Sequence, residues 1–208
     1  LNFDLGLTDR LAIGVGRTSL DKAYNGFVKY KILKQSTGSK NMPVSVSFAA
    51  GTVIKTSRSL DPDPGNTFWY RVYYDFGLLI ARKFSENFCL QVTPTLVHRN
   101  LVRTAEEKND VFAIGVGARQ KLTRRMSINA EYIYVLPGQL APDKLNSLSV
   151  GLDIETGGHV FQLHFTNSQG MNENAFITET INRWDKFEFR FGFNLSRVFT
   201  LWEPAIRD

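Results

Sequence analysis

Along most of this chain every second side chain changes character, and that one feature limits it to β-sheet, because neighbouring residues on a strand point to opposite faces. From 187 to 196 one parity reads Phe187, Phe189, Phe191, Phe193 and Leu195; the other reads Glu188, Arg190, Gly192, Asn194 and Ser196. A helix would mix those two sets. In 67–83, Phe68, Tyr70, Val72, Tyr74, Phe76, Leu78 and Ile80 oppose Arg71, Asp75 and Gly77. The same separation recurs in 43–51, 111–119, 127–136, 147–155 and 160–166, and less cleanly in 1–5, 11–17, 25–34 and 88–98. These segments predict eleven strands.

A soluble antiparallel sheet also alternates, so a lipocalin-like soluble ligand-binding barrel is the competing expectation. Three features favour a membrane barrel. The apolar parity is Phe, Tyr, Leu and Val on nearly every strand. The other parity is Gly, Ser, Asn, Gln and charge, which suits a polar interior. Connections also alternate in length. Residues 6–10, 35–42, 84–87, 122–126 and 156–159 are short, whereas 18–24, 55–66, 99–109, 137–146 and 168–185 are mostly longer and rich in turn residues. Outer-membrane barrels have short periplasmic turns and long extracellular loops. The expectation is therefore one domain over 1–208, an all-β antiparallel transmembrane up-and-down β-barrel in a bacterial outer membrane. Single-chain barrels of this kind have even strand numbers. The preferred count is about twelve, with one N-terminal strand outside this sequence; ten is the alternative if 1–5 is a remnant.

Composition is compatible with this. Apolar residues make up 43%, charged residues 22%, and the mean hydropathy is −0.19. No apolar run reaches the 18 or so residues of a membrane helix. Net charge is +5, but the basic residues are dispersed and form no nucleic-acid stripe. Cys89 is the single cysteine, so no internal disulfide is expected. Leu1 already lies in an alternating segment, and the chain reads as a mature or truncated product.

The stretch Gly158-His159-Val160-Phe161-Gln162-Leu163-His164-Phe165-Thr166-Asn167-Ser168, with Gly170-Met171, Gly6-Leu7-Thr8-Asp9-Arg10-Leu11 and Phe27-Val28-Lys29-Tyr30-Lys31, resembles an outer-membrane β-barrel family of Bacteroidota known as a domain of unknown function. The resemblance covers most of the chain. It implies the fold and the location, and no catalytic residue.

Parity assigns Lys29, Lys31, Arg71, Asp75, Arg119, Glu131, Asp153, Glu155, His164, Glu188 and Arg190 to the barrel interior. They could select solutes by charge, or satisfy one another as a filled polar core. Twelve strands fall between barrels that side chains fill and those that hold a channel. Hairpin arithmetic sets Glu131 roughly opposite Asp153, Asp153 opposite Gln162 beside His164, and Glu188 or Arg190 next to His164. Glu131, Asp153 and His164 are ligand types without compact spacing, so no metal or other cofactor is expected. His164 with Ser149 or Ser168 could be forced into a hydrolase arrangement, but no nucleophile motif accompanies them. The expected function is non-enzymatic: a narrow pore, or an accessory or structural subunit of an outer-membrane complex. Its partners would be outer-membrane lipids and other outer-membrane proteins, not nucleic acid. Trp69, Tyr70, Tyr134, Trp184 and Trp202 are expected in aromatic girdles at the two interfaces. The loop 168–185 could fold inward as a plug or meet a partner, and Pro94 should bend or bulge its strand.

Overall fold

A computed structural model describes residues 1–39, 41–57, 68–102 and 104–200. The strands are β1 (Asn2–Gly6), β2 (Leu11–Arg17), β3 (Tyr24–Leu33), β4 (Ser45–Ile54), β5 (Val72–Lys83), β6 (Phe88–Arg99), β7 (Asp110–Lys121), β8 (Met126–Val135), β9 (Ser147–Glu155), β10 (His159–Thr166) and β11 (Arg190–Arg197). Each pairs antiparallel with its sequence neighbour, giving one up-and-down sheet of eleven strands in chain order. β1 and β11 are its edges, and no ladder joins them among the described residues. The twelfth strand expected above is therefore not part of the described sheet.

Three short turns repeat one device. Thr8, Ser85 and Thr123 each stand three residues before the next strand, and each hydroxyl accepts the backbone N–H of that strand's first residue, Leu11 at 3.0 Å, Phe88 at 3.1 Å and Met126 at 3.0 Å. Such local acceptors hold a tight reversal that would otherwise leave donors unpaired. Between β9 and β10 the reversal uses Gly157 at φ 79°, a conformation costly for side-chain-bearing residues.

Because every pairing is between sequence neighbours, odd- and even-numbered connections fall on opposite rims; the odd rim carries the short turns except for 34–44 between β3 and β4, which is longer than 18–23 on the other rim. The loop between β10 and β11 carries one helix, α1 (Glu173–Thr178), which lies against β5 and β6. This loop also reaches Lys55 beyond β4, through Glu179, and Leu145 before β9, whose N–H bonds Thr180 O. A single loop can touch elements from β4 round to β9 only if the sheet curls about it, so α1 marks the inner face. Val97, Val111, Ala113 and Ile133 from that face form a dry cluster with Ile177 of α1. The outer face carries Phe48, Phe76, Phe112, Ile114, Val116, Tyr132, Val150, Phe165, Phe191 and Phe193, all exposed. That is the inverse of a soluble barrel, which buries its large apolar set inside.

Two local expectations need correction. Pro94 produces no bulge: β5 and β6 hold one register on both sides of it, from Gly77–Thr95 to Ile80–Val92, and lose only the pairs between. Proline lacks the N–H that the ladder needs there, but its φ is compatible with a strand. The sheet's irregularity falls instead in β3, where register shifts between Lys31 and Leu33. Residues 68–71 are not the start of β5; they form a 3₁₀ turn, so strand parity does not extend to Arg71.

Candidate functional site

The antiparallel ladder aligns inner-face side chains in rows across β7 to β11. One row is Gly117, Glu131, Ser149, Thr166 and Arg190; the next towards the short turns is Arg119, Asn129, Gly151, His164 and Gly192; the third holds Ser127, Asp153, Gln162 and Asn194. Glycines occupy places where neighbours lean over. A Cβ on Gly192 would run into His164 Nε2, so the imidazole lies across the β11 backbone.

The structure brings together most, but not all, of the residues assigned to the interior. Arg119 Nη2 donates to Glu155 Oε1 at 3.0 Å and its Nε to Ser127 Oγ at 2.9 Å, with Asp153 Oδ2 at 4.0 Å. Gln162 Nε2 donates to Asp153 Oδ1 at 3.1 Å, as hairpin arithmetic anticipated. Glu131, however, pairs with Ser149 and not Asp153, because the β8–β9 hairpin is centred on residue 140, two positions from the expected centre. Moving a hairpin centre by two shifts the register by four while preserving each residue's face. Arg190 pairs with Thr166 and so lies diagonally across from His164. Glu188 is not on β11: the chain turns through Trp184–Lys186, Phe187 takes φ 58°, and Glu188 Oε2 accepts Arg183 N–H at 2.9 Å. Asp75 is buried on the inner face, where its carboxylate lies over Gly51. Lys29 shares that face with its pair partners Ala12 and Ala49, and Lys31 sits beside the β3 irregularity with its Nζ 3.5 Å from Asp9 O.

Two adjoining cavities occupy this region. One, of about 370 Å³, is lined by Arg119, Asn129, Asp153, Gln162 and Asn194. The other, of about 310 Å³, lies under the β10–β11 loop and is lined by Thr166, Met171, Phe176 and Arg190. Glu131, Ser149 and His164 line both. Ser149 Oγ donates to Thr166 Oγ1 at 2.8 Å, so its proton is not directed at His164. Among the described residues no three His, Cys, Asp or Glu side chains are arranged to hold a metal.

The loop that roofs the second cavity is held at the long-loop rim. Asn172 caps α1, its Oδ1 accepting Ala175 N–H at 3.0 Å. Asn167 Nδ2 donates to Asn146 O and Asn182 O, both at 3.0 Å, tying the loop to β9. On the far side, buried Lys55 pairs with Asp21 at 2.9 Å and with Glu179. Burial alone would lower the Lys55 pKa, but Glu179 and Asp21 outweigh it and hold the amine above its ordinary value. A raised folded-state pKa means the clamp is fully present below the ordinary lysine pKa and is lost as pH rises through the higher folded value. Lys55→Met should accordingly weaken loop seating by about 2 kcal/mol at neutral pH, with the difference from wild type closing above pH 10.5. Hydrogen exchange of the 172–180 amides checks this; equal protection in both proteins at pH 7 would refute the clamp.

Sequence reasoning missed Lys55, Asp21 and Glu179, which belong to three different connections. It did not single out Phe176 and Ile177 either, although two large apolar residues after an Asn cap in a polar loop were a readable signal. Of the girdle residues, Trp69, Tyr70 and Tyr134 are exposed at the long-loop rim, and Trp184 stacks on Phe189 with its indole N–H on Leu148 O at 3.0 Å. These four share one rim; Trp202 lies outside the described residues. The other rim exposes Leu7, Phe84 and Leu122.

A family profile described as a membrane bound beta barrel domain (DUF5777) matches residues 1–199. No curated protein matches the chain in sequence.

Proposed function

Since the chain belongs to this family of membrane-bound β-barrel domains, we propose that it is an integral barrel of a bacterial outer membrane, of the Bacteroidota type its motifs resemble, whose interior is stoppered by its own β10–β11 loop. Short turns face the periplasm and long loops the exterior. The outer stripe of Phe, Val and Ile meets lipid, and the inner rows form a polar vestibule. The barrel is non-enzymatic, uses no cofactor, and admits solute from the short-turn side without letting it pass freely.

One observation carries the stopper: Ile177 is 2% exposed against Val97, Val111, Ala113 and Ile133, so the loop is seated on a dry patch rather than hanging over the mouth. Closure of the wall belongs to the same proposal. β1 and β11 both run from the long-loop rim to the short-turn rim, so direct pairing would be parallel. One strand running the opposite way satisfies both edges and makes the count even, which hydrocarbon, offering no hydrogen bonds, requires. Planar-bilayer recording tests the stopper. The intact protein, folded and inserted, should show no steady ion current; a large constant conductance would overturn it.

A further inference from the structure

The second cavity is lined by side chains of opposite charge, both exposed to its interior and neither paired within the protein among the described residues. Glu131 on β8 and Arg190 on β11 belong to the same inner row, joined through Ser149 and Thr166. Both line the cavity, and neither has an ion-pair or hydrogen-bond partner among the described residues; Glu131 instead feels the like-charged Glu173 of α1, so the negative end of the cavity holds two carboxylates. Three strand spacings of about 4.8 Å set their backbones roughly 14 Å apart, and no ion pair joins the two among the described residues. Arg119, the other cation of these rows, is already engaged by Glu155 and Ser127 and cannot serve Glu131 as well.

A polar group facing a roomy interior and left unpaired on one side only would attract a simple counter-ion. A carboxylate and a guanidinium facing each other across a gap call for a ligand with both charges, in the opposite order. Between them lie the Ser149 and Thr166 hydroxyls, with the His164 ring in the adjoining row. The roof adds Met171 and Phe176, an apolar cover for a small side chain. The volume, about 310 Å³, accommodates a molecule of one or two amino-acid residues.

We propose that this cavity is a binding site for a small zwitterion, an α-amino acid or dipeptide, with its ammonium on Glu131 and its carboxylate on Arg190. Guanidinium matches carboxylate through two parallel N–H donors, which fixes the orientation as well as the charge. The site rests on the stoppered-barrel reading, since the loop supplies its roof and the inner face its floor.

The test uses the protein folded in lipid nanodiscs and titrated calorimetrically with alanylalanine, its N-acetyl derivative and its C-terminal amide. Wild type should bind the free dipeptide, and blocking either end should weaken binding by about tenfold, the worth of one charge-assisted contact. Glu131→Gln should lose the discrimination against the acetylated form, and Arg190→Gln that against the amide. Both changes are near-isosteric or shortening at exposed inner positions, and heat-modifiable gel mobility shows whether each variant still folds. No binding of the free dipeptide at millimolar concentration, indifference to both blocking groups, or discrimination unchanged in both variants would each overturn the site. A protein that inserts and stays closed yet ignores the dipeptide refutes this site alone; one that conducts steadily refutes the stopper beneath it.

Discussion

Replacing residues 171–181 by a short Gly-Ser linker should turn a closed protein into a conducting one. The segment removed contains α1, the Ile177 anchor and Glu179, the partner of Lys55. None of it contributes to a strand, so the ladders that hold the wall remain. What disappears is the roof of the second cavity, which adjoins the first at Glu131, Ser149 and His164. The two polar chambers then open to the long-loop side, and ions can cross. The variant should show a steady single-channel conductance where the intact protein shows none, because an unobstructed polar passage has no dewetted or occluded constriction. A deletion variant that inserts normally and stays silent would mean that inner-face side chains fill the barrel at a second level.

The substitution Ile177→Asp should release the same loop without removing it. Ile177 sits in an apolar patch of Val97, Val111, Ala113 and Ile133, with Val135, Leu140 and Phe176 packed against it. A carboxylate placed there loses its hydration and gains no partner, a cost of about 3–5 kcal/mol against the seated state. Glu173, one turn earlier on α1, adds like charge. The loop can escape that cost by swinging into water, whereas the wall has no reason to unfold, so the effect falls on seating rather than on the fold. Trypsin reads it directly: Arg183, at the loop's far end, should be cleaved many times faster in the variant than in wild type. Ile177→Val, which deletes one methylene, should cost only about 1 kcal/mol and remain protected. Equal cleavage of all three proteins would show that Ile177 does not hold the loop.

Strand positions and faces were legible because a one-residue error would put charge into lipid and phenylalanine inside; physical chemistry leaves little freedom there. That is why Asp153 and Gln162 were correctly opposed across a four-residue turn, whose length leaves one register. It is also why Glu131 and Asp153 were not: the 137–146 connection is long enough to be centred on more than one residue, and face alone cannot choose between registers four apart. Glu188 was misplaced because alternation through Phe187 and Phe189 continues the strand pattern into a segment that turns. Nothing in local pattern marks Phe187 for a left-handed conformation. The Lys55–Asp21–Glu179 clamp joins residues far apart in sequence and is set by how the sheet curls, which period-two reading does not contain. The inward fold of 168–185 was one of two open possibilities, and the apolar pair Phe176-Ile177 decides it by needing a dry surface.

The Phe-rich outer stripe should meet the acyl chains, and the polar inner rows should not. In a background with the native tryptophans changed to Phe, single tryptophans at outer Val116 and inner Thr95 report on it. Both residues lie mid-strand, and they face opposite ways. Lipids brominated near the chain centre should quench Val116→Trp fluorescence strongly and leave Thr95→Trp nearly unaffected. Strong quenching at Thr95 with none at Val116 would contradict the account.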